Sequence, residues 1–199
     1  MEKGQGKSTI QKEISLSAGE ANLYALVFLV PLLLILAVPY YYFWPEQFSQ
    51  EKLRYYLALR EALTAIDIVS GLLILFLGVA AHELLHGLGW SFYTKKGWKS
   101  IKFGIMWSFL TPYCHCSEPL SMGPYRFGSI LPAVVLGFLP SIIAIATGNL
   151  GLMVFGFFFT FAAGGDFLML WLLRNEKSTA LVHDHPDRIG CMVITKPEN

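Results

Sequence analysis

Apolar residues occur along the chain in long runs separated by shorter polar stretches. A helix needs roughly 20 mainly apolar residues to cross a bilayer, and the runs that reach this length are residues 23–44, 66–92, 127–147 and 150–173. Only Gly148 and Asn149 separate the last two runs, which indicates a tight helical hairpin. The pattern predicts an all-α integral membrane protein with about four transmembrane helices, folded as a single membrane-embedded domain over residues 1–199.

The polar stretches between and around the apolar runs also predict secondary structure. Residues 45–65 place apolar side chains at helical spacing, which predicts a short helix at the membrane interface. In the loop 93–126, the stretch Trp98–Cys116 is rich in β-branched and aromatic residues that partly alternate, which predicts one or two short strands. The tail 174–199 contains "RIGCMVITKP", which predicts a last short strand. The first 22 residues are polar and do not resemble a cleavable signal peptide.

The distribution of Lys and Arg predicts the orientation in the membrane. Twelve of these residues lie in the N-terminal segment, the 93–126 loop and the tail, and three lie in the 45–65 connection. Positively charged loops stay preferentially in the cytoplasm. We therefore expect a multi-pass protein of the cell membrane, with both termini and the 93–126 loop in the cytoplasm.

Composition supports the membrane prediction and excludes other classes. The chain is 54% hydrophobic and 15% charged, whereas a soluble domain carries about 25% charged residues. A net charge of +1 provides no basic excess for binding nucleic acid. Three cysteines are too few for a disulfide framework. The partners that we expect are the lipid bilayer and a membrane protein or peptide substrate.

The second apolar run contains a sequence with metal-binding spacing, His82-Glu83-x-x-His86. Residues four apart on a helix lie on one face, so both imidazoles can reach one metal ion. Glu83 is rotated by about 100° from His82, which suits it better to act on a water beside the metal than to bind the metal. This is the division of roles in H-E-x-x-H zinc hydrolases. Two alternatives are helix–helix hydrogen bonding and a non-catalytic metal site.

A catalytic zinc ion usually has three protein ligands and a water, so a third ligand must come from elsewhere. Asp166 is the only acid in the fourth apolar run. From the rise per residue of a helix, Asp166 lies about 12 Å from the end of the fourth run. His86 and His82 lie about 9 and 15 Å from the end of the second run. The matching depths predict Asp166 as the third zinc ligand. The alternative for Asp166 is an interhelical hydrogen bond.

Other polar groups form weaker candidates. Asp67 is about 22 Å from His82 along the helix, too far to join the site. Cys114-His115-Cys116 supplies zinc-binding residue types, but closed zinc sites usually combine paired ligands from two places. The tail contains a further set, for which a turn or capping role is the main alternative: His183, Asp184, His185 and Asp187.

The "HELLHG" helix, the later "GGD" and the "DHPDRIGC" tail resemble a family of membrane proteins described as zincin peptidases (DUF3267). The resemblance covers most of the chain from the second apolar run onward. More distantly, the arrangement is similar to the site-2 class of intramembrane zinc metalloproteases. This likeness implies that His82, His86 and Asp166 bind zinc and that Glu83 is the catalytic base. In the site-2 class a glycine follows the aspartate, whereas here the two glycines precede Asp166.

The site-2 likeness also implies a way of holding substrate. That class binds substrate as an added strand beside the site, and the stretch Ile101–Phe109 could act in this way.

Gly164 and Gly165 would allow close helix approach beside Asp166, and Gly87 and Gly89 would leave room for substrate. Besides an intramembrane zinc protease, two functions stay open: a non-proteolytic membrane metal-binding or transport protein, and an inactive protease-like scaffold.

Overall fold

A computed structural model of the chain describes residues 10–15, 23–24, 27, 30–107, 111–184 and 190–195. The helices are α1 (Val30–Phe43), α2 (Gln50–Glu61), α3 (Ala65–Ser91), α4 (Met122–Thr147), α5 (Leu150–Ala162) and α6 (Gly164–Leu172). The strands are β1 (Ile10–Ser15), β2 (Ile101–Met106), β3 (Thr111–Cys116), β4 (Leu120–Ser121), β5 (Leu181–Asp184) and β6 (Gly190–Thr195).

The prediction of an all-α fold is wrong, because the described residues form two antiparallel sheets. One sheet has the strand order β1-β6-β5-β4, and the other is the β2–β3 hairpin. The strands predicted in Trp98–Cys116 and at the end of the tail are confirmed. The strand β1 was missed because its pairing partner, β6, is distant in sequence: Ile10 pairs with Thr195 and Ser15 with Gly190. Long-range pairing of this kind leaves little local signal in a polar segment.

The prediction of four transmembrane helices is also corrected. Two of the described helices, α3 and α4, are long and apolar enough to cross a membrane. The pair α5 and α6 passes the same test only together and bends by 40° at its break, which makes a third candidate. The described part of the first apolar run, α1, is a shorter apolar helix. Two or three candidate spans are consistent with a membrane protein.

The chain divides into two compact units. The first contains Met1–Leu23, Leu84–Leu131 and Gly165–Asn199. Its core is built from alternate residues of the strands, Val182 in β5 and Cys191 and Val193 in β6, which are at most 1% exposed. Side chains from the start of α4 and the end of α3, including Tyr125 and Trp90, complete this core. Period-two burial along the strands therefore orients one face of the sheet towards the aromatic residues described below.

The second unit contains Tyr24–Glu83 and Pro132–Gly164. The helical hairpin predicted at Gly148 and Asn149 is confirmed. Gly148 ends α4 with φ +72°, and the Asn149 side chain accepts a hydrogen bond from the Leu152 amide at the start of α5. Aromatic residues of the first apolar run bind the carbonyls at this turn, since Tyr40 donates to Gly148 O and Trp44 to Ile145 O. These side chains give two carbonyls at the tip of the hairpin hydrogen-bond donors from within the chain.

Helix α3 changes environment along its length. At its start, Thr64 and Asp67 form a reciprocal cap in which the Thr64 amide donates to the Asp67 carboxylate at 2.9 Å. Large apolar side chains from Ile66 to Leu77 are exposed, as expected of a surface that meets lipid. Burial begins at Gly78, where a methyl group would collide with the ring of Phe159. The metal-binding sequence lies in the buried part of the helix.

Candidate metal centre

His82 and His86 lie one turn apart on α3, so backbone hydrogen bonds of one continuous helix set their separation. His86 is buried, with 5% of its surface exposed, and His82 and Glu83 are half-buried. The apolar sequence around the motif keeps the segment helical, and the spacing of four places both imidazoles on one face. The helix thus presents the two predicted ligands together.

A backbone carbonyl orients the imidazole of His86. The Nδ1 atom of His86 lies 2.9 Å from the carbonyl oxygen of Gly128. The approach of α4 to α3 at Gly89 makes this possible, because a Cβ on Gly89 would lie 2.7 Å from the Gly128 Cα. A carbonyl only accepts hydrogen bonds, so Nδ1 carries the hydrogen and Nε2 is left with the lone pair that a metal needs.

Asp166 faces the other nitrogen of the same ring. Its Oδ1 atom lies 3.2 Å from the Nε2 of His86. The break between α5 and α6 places Asp166 in the first turn of α6, where the helix dipole favours a carboxylate. An imidazole lone pair and a carboxylate oxygen at this distance repel each other unless a cation lies between them. The pair therefore requires a proton or a metal ion.

The donor set fits zinc. His82, His86 and Asp166 each offer a ligand atom, and these atoms lie within 4.8 Å of one another. Atoms about 2.0–2.1 Å from a tetrahedral zinc ion lie about 3.3–3.4 Å apart, close to the 3.2 Å between His86 Nε2 and Asp166 Oδ1. Two imidazoles, one carboxylate and room for a fourth ligand are typical of catalytic zinc. Among the residues that the structure describes, this is the one His/Cys/Asp/Glu set that meets this distance test.

The glycines near the site do not act as the sequence suggested. Gly87 accommodates the chain's own hairpin, because a methyl group there would lie 2.8 Å from Ile101 and 2.9 Å from Phe103. Gly89 packs on Gly128, so neither position leaves room for substrate. At Gly165 a methyl group would meet no atom of the described residues within 4 Å, so no close helix approach occurs there. The two glycines before Asp166 instead coincide with the break in the helix.

The rival metal candidates that the structure describes do not converge into a metal site. Within the Cys-His-Cys sequence, Cys116 donates its thiol hydrogen to the Glu118 carbonyl, and burial raises the pKa of this thiol. A zinc ligand must be a thiolate, which a raised pKa disfavours. His115 lies 3.6 Å from the carboxylate of Asp184 and 5.8 Å, centre to centre, from the His183 ring. His185 and Asp187 lie outside the described residues.

The structure connects four further residues to the site, of which sequence reasoning named only Asp184, and that as part of a different metal set: Trp90, Tyr125, Gly128 and Asp184. Trp90 stacks on His86, with ring centres 5.3 Å apart. The position of Trp90, four residues after His86, was a signal that could have predicted this contact. The others come from α4 and β5, and no local spacing relates them to the motif.

The described residues define a largely helical protein with helices apolar enough to cross a membrane and a candidate His-His-Asp metal centre. A family model described as "Putative zincin peptidase" (DUF3267) matches residues 75–181. This match covers more than half of the chain and includes all three metal-site residues. The chain belongs to this family, as its motifs predicted. Comparisons with curated proteins and with solved structures found no match.

Proposed function

We propose that the protein is an intramembrane zinc metallopeptidase that cuts membrane-associated protein or peptide substrates. The observation that carries the proposal is the convergence of His82, His86 and Asp166 at the buried end of a helix apolar enough to cross a membrane. Burying ionisable residues in such helices costs free energy, so their presence there indicates a functional role. Membership of a zincin peptidase family supports hydrolysis of peptide bonds as that purpose.

The residues of the chain divide the chemistry among themselves. Zinc bound at this site would lower the pKa of the water attached to it and would polarise the scissile carbonyl. His82, His86 and Asp166 would hold it, with the Nδ1 hydrogen bond to Gly128 keeping the His86 ring in place. Glu83, the residue after His82 on the same helix, would take a proton from the attacking water and deliver it to the leaving amine.

The β2–β3 hairpin provides a place for an extended substrate. Ser117 N donates to Ser100 O at 2.8 Å, and alternation from this pair directs the amides of Phe103 and Ile105 away from β3. No described strand pairs with this edge of β2. Phe103, the first of these residues, lies beside Gly87, the residue after His86, since a Cβ on Gly87 would lie 2.9 Å from its ring. A substrate added there as a strand would pass beside the metal centre.

Replacing the catalytic base tests the mechanism. In Glu83→Gln we expect zinc to stay bound while cleavage falls by about 10²–10⁴-fold, as is typical for losing a general acid–base group. Zinc content and cleavage of a membrane-bound peptide library would be measured on purified protein in nanodiscs. The exposed Glu61→Gln, at the end of α2, is the matched control and should change neither.

The outcomes separate the alternatives. Full cleavage by Glu83→Gln would contradict the proposed role of this residue. Zinc binding without cleavage by the wild type, across the library, would favour a metal-binding or transport protein. Wild-type protein that binds no zinc and cuts nothing would favour an inactive scaffold.

A further inference from the structure

We propose that Asp184, at the end of β5, is a positioning residue for the metal centre and acts on His86 through Tyr125 and Trp90. The inference rests on the zinc site proposed above and extends it to a residue outside the matched region 75–181. All four residues belong to the first compact unit. Their contacts form a continuous series from the sheet to the metal-binding imidazole.

The first contact sets the plane of the His86 ring. The hydrogen bond from Nδ1 to Gly128 O lies at one corner of the ring and leaves the ring able to tilt about that bond. The indole of Trp90 lies parallel to the imidazole, at 16°, with ring centres 5.3 Å apart. A hydrogen bond at one corner and a parallel ring on one face together fix the direction of Nε2, which is the atom that faces Asp166.

The second contact holds Trp90. Its indole stacks on the Tyr125 ring with centres 5.6 Å apart and planes at 17°. Its Nε1–H donates to the backbone oxygen of Tyr125 at 3.1 Å. Trp90 and Tyr125 are each 5% exposed, so packed neighbours surround both rings and small displacements are resisted.

The third contact fixes Tyr125 to the sheet. The Tyr125 hydroxyl donates to Asp184 Oδ1 at 2.9 Å. The other carboxylate oxygen, Oδ2, accepts from the Cys116 amide at 3.0 Å and lies 3.6 Å from His115 Nδ1. Asp184 therefore links the backbone of β3 to the aromatic stack. Loss of its charge or of the Tyr125 hydroxyl would allow both rings to shift and the imidazole to tilt.

Metal affinity measures this effect independently of cleavage. Partners that orient a metal ligand typically contribute 10–100-fold to affinity. Because Asp184 acts through two rings, we expect Tyr125→Phe and Asp184→Asn each to weaken zinc binding by about tenfold, the lower end of that range. Asp184→Asn leaves one side-chain oxygen for two donors, the Tyr125 hydroxyl and the Cys116 amide. Both changes therefore weaken the same link, and the double variant should bind zinc about as tightly as either single variant.

The experiment uses the full chain in nanodiscs, freed of metal with a chelator. Zinc affinity is measured by competition with a chromophoric chelator, and the Co²⁺ absorption spectrum reports ligand geometry. The control is Val182→Ala, which removes buried volume from β5, where Val182 is 1% exposed, but none of the hydrogen bonds or ring contacts between Asp184 and His86. We expect altered affinity and an altered Co²⁺ spectrum in Tyr125→Phe and Asp184→Asn, and wild-type values for both in Val182→Ala.

Two results would overturn the inference. One is wild-type zinc affinity and spectrum in both Tyr125→Phe and Asp184→Asn. The other is an equal loss of affinity in Val182→Ala, which would assign the effect to general sheet stability. Either result leaves the zinc site itself intact, whereas failure of the wild-type protein to bind zinc would refute the proposed function along with the inference.

Discussion

At the scale of the residue, the metal centre depends on which nitrogen of His86 carries the hydrogen. The carbonyl of Gly128 selects Nδ1, and the Nε2 lone pair is then directed at Asp166. A glycine at position 128 is needed for this, because a side chain there would collide with the indole of Trp90. The orientation of the candidate metal-binding imidazole is therefore set by a backbone group on another helix.

A titratable residue outside the candidate spans makes stability depend on pH. Burial lowers the pKa of His115, with smaller lowering effects from His183 and Lys102 and a raising effect from Asp184. The unfolded chain then takes up the proton at a higher pH than the folded protein does. The stability that neutral His115 contributes is therefore fully present above about pH 6.5. This contribution decreases as the pH falls from there through the lower pKa that His115 has in the folded protein.

We therefore expect His115→Gln to lose less thermal stability than the wild type on acidification. The measurement is the unfolding temperature of chelator-treated protein in detergent at pH 7.5 and at pH 5.5. The difference between the two temperatures should be smaller in the variant. An equal difference in both proteins would contradict the assignment to His115.

At the scale of the element, α3 combines two environments in one helix. Its first part has exposed large apolar side chains up to Leu77, and its second part, from Gly78, is increasingly buried. Placing the histidines in the second part keeps them away from the lipid-exposed surface. The β2–β3 hairpin packs on the same part of the helix at Gly87, which puts beside the site an edge of β2 that no described strand pairs with.

Removing one amide from this edge tests the proposed substrate strand. Ile105→Pro deletes an N–H that points away from β3, opposite Pro112, so the hairpin itself should persist. One lost hydrogen bond to substrate corresponds to about a three- to tenfold decrease in kcat/KM. Ile105→Ala, which keeps the amide, should retain more activity. Equal kcat/KM values for the proline and alanine variants would contradict strand addition at this edge.

At the scale of the whole molecule, one sheet joins segments from widely separated parts of the sequence. β1 pairs with β6, and β5 pairs with both β6 and β4. The Lys12–Glu176 ion pair, at 2.6 Å, adds a further link between the N-terminal strand and the segment after α6. Paired strands of one sheet share one aqueous side of a membrane, because backbone groups of an open sheet cannot be satisfied in lipid.

This pairing predicts that the N- and C-terminal segments lie on the same side of the membrane. A protease-cleavable epitope tag fused to each end should be cut from the same face in right-side-out and inverted vesicles. The Lys and Arg distribution predicts that this face is the cytoplasmic one. Removal of the two tags from opposite faces would contradict the sheet pairing.

The sequence by itself determined the features that depend on local spacing. A period of 3.6 residues placed His82 and His86 on one helical face, and helical rise matched the depth of Asp166. The same local signals predicted the hairpin at Gly148 and the strands of the 93–126 loop and the tail. The resemblance to the zincin peptidase family rested on these residues and was confirmed.

Only the tertiary structure decided what distant segments do to one another. Residues 10–15 of the polar N-terminal segment form a strand by pairing with β6, which overturned the all-α prediction. The contacts of His86 with Gly128 and of Tyr125 with Asp184 join residues 42 and 59 positions apart. The space beside Gly87 and Gly89, which the sequence suggested was open to substrate, is occupied by other atoms of the chain. Spacing along a helix follows from its backbone geometry, whereas these contacts depend on how separate elements pack, and no local pattern records that.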